Sequence, residues 1–353
     1  MAEVGVAENA EPQTLGEFDV IVDARSPGEY AVDHIPGAIN LPVLDDAERH
    51  EVGTIYVQES RFKARRVGGA YVAKNVARHI QTVMADWPAS MKVLVYCWRG
   101  GMRSNAMAVI LGQVGWRTSV LSGGWRTYRR QVSQRLYDSE PLQRVVLLDG
   151  HTGSGKTEVL QRLPAQGVQV LDLEGLAEHR GSLLGGLPGR PQPSQKMFES
   201  RLLAAIDALD PERPVVIEAE SSKVGERMLP PVVWSAMTGA ARIELRAPAP
   251  ERARYLAEAY AEVGRDAESL IGLLARLPDR PGRKRQQAWT DLVRAGELEA
   301  LAADLIAVHY DPAYRRSSHK AERATLGTVS LDRLDAEAFE RAAIEVAGLA
   351  AAL

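Results

Sequence analysis

Residues 91–104, MKVLVYCWRGGMRS, decide the fold. The first six are apolar and rich in valine, which reads as a buried strand. The strand runs straight into Cys97, and residues 105–111 beyond the loop read as a helix. A strand, a glycine loop and a helix in that order form half of a parallel βαβ unit. Gly100 and Gly101 let the backbone curl so that successive N–H groups point inward. A concave ring of N–H groups beside a helix N-terminus holds an anion. Arg99 and Arg103 add positive charge, and Ser104 closes the loop. A cysteine on such a rim has a depressed pKa and is thiolate at neutral pH, the form a nucleophile requires.

Working outward, residues 18–24 (FDVIVDA) read as a second buried strand, followed by a turn at Ser26-Pro27-Gly28. Residues 34–42 (HIPGAINLP) form a loop leading to a short strand. Residues 59–85 carry helical periodicity, with Val76, Ile80, Val83 and Met84 on one face. Val120-Leu121 is a short strand closed by Ser122-Gly123-Gly124. This rhythm predicts a parallel sheet with helices on its faces. A second βα series starts at residues 144–149 (RVVLLD), continues through Gly150 into a helix from about Gly155, and has further strands at 168–173 and 214–220. The link between the series lies near 130–143. Beyond about residue 250 the chain is rich in Ala, Glu, Leu and Arg and reads as helical. The expected division is therefore 1–135, 136–250, and a mainly helical 251–353 packed on the second domain.

The chain has 353 residues, 45% hydrophobic and 25% charged, enough for two domains of an ordinary globular protein. No apolar run of about 18 residues exists, so no transmembrane helix is expected. The start, MAEVGVAENAEPQ, lacks a basic and apolar leader, which predicts a cytoplasmic protein. The single cysteine excludes an internal disulfide and a Cys-based metal site. The net charge of −3 argues against a chain that is basic throughout. Its cations are nevertheless clumped: Arg61, Lys63, Arg65 and Arg66; Arg126, Arg129 and Arg130; Arg280, Arg283, Lys284 and Arg285; Arg315, Arg316, His319 and Lys320. Such patches hold a phosphate backbone. The candidates for RNA contact are Arg283, Lys284, Arg285, Arg315 and Arg316, with Trp289, Tyr310 and Tyr314 for base stacking.

Residues 150–157, GHTGSGKT, fit G-x-x-x-x-G-K-[ST] between a strand and a helical pattern. Backbone N–H groups of Gly150, Thr152, Gly153, Ser154 and Gly155 would cradle a diphosphate. Lys156 would reach its outer phosphate and Thr157 would meet Mg²⁺. ATP-hydrolysing enzymes usually carry an Asp at the end of a second apolar strand. Here residues 215–220 read VVIEAE, with Glu218 and Glu220 instead, so the motif specifies a diphosphate more strongly than ATP. No metal ligand set is evident beyond Thr157. Two polar segments would lie at the carboxyl edge of the sheet, where ligands of open α/β folds bind. One offers Asp172, Glu174, Arg180 and Ser182; the other offers Glu220 and Ser221.

The first 130 residues resemble a rhodanese domain. Residues 23–30 (DARSPGEY), 34–40 (HIPGAIN) and 121–125 (LSGGW) match that family's signatures. The commonest single-domain loop is similar to C-x-x-G-x-R-S; here one extra residue gives C-x5-R, which is also the spacing of cysteine phosphatases. Joined to GHTGSGKT, DLEGLAEHRGS (172–182) and IEAESSKVG (217–225), the pattern resembles the tRNA 2-selenouridine synthase family. The resemblance implies a rhodanese-like parallel-sheet domain followed by a P-loop NTPase-like α/β domain. It also implies tRNA carrying wobble 2-thiouridine as substrate, with geranyl diphosphate as alkyl donor and selenophosphate as selenium donor. No covalently bound cofactor and no membrane partner are implied. Cys97 would carry selenium as a selenosulfide. The residues alone leave open an ATP-dependent sulfurtransferase or kinase, a cysteine phosphatase, and an RNA-binding protein without catalysis.

Overall fold

Lys92–Tyr96 forms strand β4, buried from Val93 onward. A continuous apolar run is what the middle of a parallel sheet requires, because helices cover both faces. The computed structural model describes residues 4–181, 185–186, 189–259, 261, 266–277, 282–318 and 323–352, with backbone alone at 259 and 316–318. Within them the chain divides into two units. The first holds residues 1–138 and 194–207, and the second 139–193 and 208–353.

In the first unit β4 is the centre of a sheet ordered β1-β5-β4-β2-β3. The strands are β1 (Gly5–Ala7), β2 (Val20–Asp23), β3 (Ile39–Asn40) and β5 (Arg117–Leu121). All its pairings are parallel. Val22, Val93, Val95, Val120, Met107 and Leu111 meet in the core between the sheet and the helices Arg61–Gln81 and Met102–Val114.

The second unit repeats the plan. Val145–Gly150 is β6, with all six residues buried. It is the centre of a sheet ordered β12-β11-β6-β8-β7. The flanking strands are β7 (Gln169–Leu171), β8 (Val215–Glu218), β11 (Ala241–Arg246) and β12 (Thr325–Ser330). Again every pairing is parallel. A small antiparallel ribbon, β9 (Lys223–Val224) with β10 (Arg227–Met228), lies outside the sheet. Both central strands deliver their loops at the carboxyl end, where open α/β sheets bind ligands.

Two features differ from the expectation. The stretch 136–250 is not one piece, because the helix Gln195–Asp207 belongs to the first unit. The region 251–353 is mainly helical as expected, but it also holds a strand the sequence did not announce, β12, which completes the second sheet beside β11. Strand β12 was hard to read because only Val329 of its six residues is buried. An edge strand lacks the continuous apolar run of a central one.

Candidate functional site

Cys97 is buried, 3% exposed, at the carboxyl end of β4. Its Sγ lies 3.2 Å from the Ser104 hydroxyl, which also reaches the Gly101 carbonyl at 3.2 Å. Burial alone would push the thiol up. The Ser104 hydroxyl and N–H, the Arg103 charge and the Arg99 N–H outweigh it and hold Cys97 below the ordinary thiol value. The loop is tightly folded against the 121–125 turn. Gly100 has φ +62°, and a Cβ there would stand 2.5 Å from the Leu121 carbonyl oxygen. Trp125 donates its backbone N–H to the Cys97 carbonyl at 2.8 Å.

Arg103 is not a solitary anion ligand. Its guanidinium donates to Glu29 at 2.6 and 3.3 Å. Burial would raise the Glu29 carboxyl, but Arg103 and the Ser26 N–H hold it below its usual range. Arg49, on the helix Asp46–Gln58, also lines the opening, with Glu29, Trp98, Arg99, Gly101, Met102 and Arg103 around Cys97. This opening measures about 650 Å³. Arg49 was invisible to the sequence reading: nothing links it to the loop until the chain folds. Behind the loop, Arg25 is fully buried and donates to Asp23 and to the Asp33 carbonyl at 2.6 Å each. It also lies 5.2 Å from the Trp125 ring. The start of the 23–30 signature, residues 23–26, is thus buried behind the loop and braces it.

In the second unit, GHTGSGKT wraps the end of β6 and enters the helix Lys156–Arg162. Gly155 has φ +80°, and its Cα faces the Phe339 ring so closely that any side chain would collide. Lys156 Nζ donates to the Gly150 carbonyl at 2.8 Å. Thr157 donates its hydroxyl to Glu174 at 3.0 Å. The Ser154 hydroxyl is buried and has no hydrogen-bond partner among the described residues. Glu174, Arg180, Gly181 and Glu220 form one wall of a cavity of about 520 Å³, and Tyr255, Leu256 and Tyr314 another.

The carboxylates differ in what they do. Burial raises Glu220 to about 8, helped by the nearby Glu174 charge and opposed by Lys156. Burial likewise raises Glu174. The two side chains hydrogen-bond each other and so share a proton. Glu218 lies behind them, fully enclosed and raised well above its ordinary value by burial and then by Asp172. It accepts the Glu174 N–H at 2.6 Å. Asp172 caps the helix Leu173–Ala177 through the Gly175 N–H at 2.7 Å. Ser221 is spent on its own turn, accepting from the Lys223 N–H and donating to the Lys223 carbonyl. Ser182 lies outside the described residues. Among those described, no three carboxylate, histidine or cysteine side chains converge as a metal set.

The stacking candidates are corrected. Trp289 is 2% exposed and Tyr310 9%, both in the core of the helical region with Leu270, Val293 and Leu305. Tyr314 instead lines the cavity at the glycine loop, and the His151 ring lies 4.1 Å from its own. His151 Nδ1 meets Asp311 at 2.8 Å, and Arg252 grips the same carboxylate with two 2.8 Å bonds. Arg283, Lys284 and Arg285 are exposed on the first turn of the helix Arg283–Ala295. Arg315 is exposed on the helix Asp311–Ser318, while the Arg316 side chain, Arg280, His319 and Lys320 lie outside the described residues. Arg129 is half-buried against Glu199 and not part of a surface patch.

Comparisons with known proteins divide the chain between residues 131 and 143. Residues 7–131 match the family model described as a rhodanese-like domain, and residues 143–271 match the tRNA 2-selenouridine synthase AAA domain. A tRNA 2-selenouridine synthase of Pseudomonas syringae pv. syringae is 32% identical, over 86% of this chain and 90% of the relative. One of Cupriavidus pinatubonensis is 33% identical, over 85% and 89%. One of Shewanella denitrificans is 30% identical, over 85% and 80%. Among solved structures, a rhodanese-related protein of Thermoplasma volcanium is 17% identical, with a TM-score of 0.23, over 35% of this chain and 93% of that one. No described helix is long and apolar enough to cross a membrane.

Proposed function

The chain belongs to the tRNA 2-selenouridine synthase family, and from that premise we propose that it is a transferase acting on tRNA in two steps. First, wobble 2-thiouridine is S-geranylated with geranyl diphosphate. Then the S-geranyl group is exchanged for selenium from selenophosphate at Cys97. Alkylation turns the sulfur at C2 into a leaving group. The second step consumes water and releases geranylthiol and phosphate, and so is redox-neutral overall.

The observation that carries this reading is the pairing of two dissimilar anion sites in one chain. The Cys97 opening joins a depressed thiol to Arg49, Arg99 and Arg103. That suits a small chalcogen-bearing anion. The second cavity joins Lys156 and the glycine loop to the side chains of Tyr255 and Leu256. That suits a diphosphate with an apolar tail. Glu218 and Glu220 stand where ATP-hydrolysing enzymes usually carry an Asp, so the loop supports a diphosphate more strongly than ATP.

The test is mass spectrometry of tRNA incubated with geranyl diphosphate and selenophosphate. Wild type should yield 2-selenouridine. Cys97→Ser should stop at S-geranyl-2-thiouridine, and Lys156→Ala should leave 2-thiouridine unalkylated. Geranylation surviving in Lys156→Ala would take the alkyl donor away from this loop.

A further inference from the structure

We propose that Trp98 is the platform on which the alkylated wobble base stacks when it meets Cys97, so that the tRNA is read at the cysteine loop itself. The inference rests on the function proposed above and adds the residue that seats its nucleic-acid substrate.

Four observations carry it. Trp98 directly follows Cys97 and lines the same opening, yet it is 36% exposed, unlike the cysteine beside it. A single exposed indole is ordinary by itself; its place on the rim of the cysteine opening is what singles Trp98 out. The ring is also held rigid. It stacks on Trp125 with centroids 4.6 Å apart and planes 27° from parallel. Trp125 is itself pinned by its indole N–H to Asp33 at 2.9 Å and by Lys196 over its ring at 5.3 Å. An indole backed on one face offers its other face as a flat surface whose rotamer entropy is already lost. Base stacking on such a ring tolerates any base.

The third observation is size. Selenophosphate has five heavy atoms and fills roughly 150 Å³ at about 30 Å³ per atom. The opening holds about 650 Å³. The remainder takes a nucleobase, and the exposed Met102 adds a second apolar surface at the rim. The fourth is charge. Arg49, Arg99 and Arg103 face a single carboxylate, Glu29, leaving positive charge for the phosphates that flank a splayed-out base.

The experiment uses the full chain, selenophosphate and a synthetic anticodon stem-loop already carrying S-geranyl-2-thiouridine. Trp98→Ala should raise KM for the stem-loop by about tenfold or more. KM for selenophosphate and the pH midpoint of Cys97 alkylation should stay unchanged, showing an intact loop. Trp98→Phe should recover most of the loss. An unchanged stem-loop KM in Trp98→Ala overturns the inference while leaving the proposed function standing. A rise in the selenophosphate KM or a shift in Cys97 alkylation also overturns it, since Trp98 would then only brace the loop. If wild type fails to selenate this stem-loop, the underlying function falls, and the platform with it.

Discussion

The thiol of Cys97 sits where two effects oppose each other, and their balance is measurable. Burial disfavours the thiolate, while the Ser104 hydroxyl and N–H, Arg103 and the Arg99 N–H favour it. The second group prevails, so the rate of alkylation by iodoacetamide should rise through a midpoint below that of an ordinary thiol. Ser104→Ala removes the largest favourable contribution and should move that midpoint upward; no shift would mean that the backbone N–H groups and Arg103 suffice alone. The loop's chemistry was legible from Cys97, Gly100, Gly101, Arg99 and Arg103 because all lie within seven residues of chain. Glu29, which holds Arg103, and Arg49, which completes the rim, come from separate elements. Only folding brings them to the cysteine, so no local spacing could reveal their part.

At the level of elements, the helix Gln195–Asp207 is the clearest case of tertiary structure overriding chain order. It follows β7 in sequence but packs on the helix Trp125–Tyr137 of the first unit. A polar clasp holds it there. Arg129 binds Glu199, Tyr137 donates to Glu199 at 2.8 Å, and Ser200 donates to the buried Asp33 at 2.6 Å. Glu199 and Asp33 are 4% and 0% exposed, so each depends on its partners. Removing one member of a buried ion pair strands the other in a poor solvent. Arg129→Ala should therefore cost the first unit about 3 kcal/mol in urea denaturation, and Arg129→Ala with Glu199→Gln should recover part of it. A loss below about 1 kcal/mol would class the clasp with ordinary surface pairs. Neither this helix nor its address stands out in the sequence. Its buried face mixes Phe198 and Leu202 with Glu199 and Ser200. A face of that kind does not say which core it joins. Strands β4 and β6 were readable in both kind and place, because a central parallel strand is apolar on both faces.

For the whole molecule, the net charge of −3 means that the overall field does not draw in a polyanion. Binding of tRNA must rest on local patches. The helix Arg283–Ala295 carries Arg283, Lys284 and Arg285 in its first turn and no acidic residue there. Cations at a helix N-terminus oppose the macrodipole by about 0.3–1 kcal/mol each. Of the three, among the described residues, only Arg285 has a nearby acid, Asp304 at 3.3 Å. Stability therefore does not account for this placement, whereas a phosphate backbone would. Replacing all three with alanine should leave Tm unchanged or slightly higher. It should also weaken tRNA binding and flatten the slope of log Kd against log salt by about two. Trp289, six positions from Arg283 on the same helix, provides the contrast. Its indole is buried and donates to Asp304 at 2.7 Å, so Trp289→Ala should lower Tm without changing the salt slope. If the triple variant instead lost stability and kept its salt slope, the patch would be part of the fold and tRNA would engage the chain elsewhere, the arginines around Cys97 among the candidates.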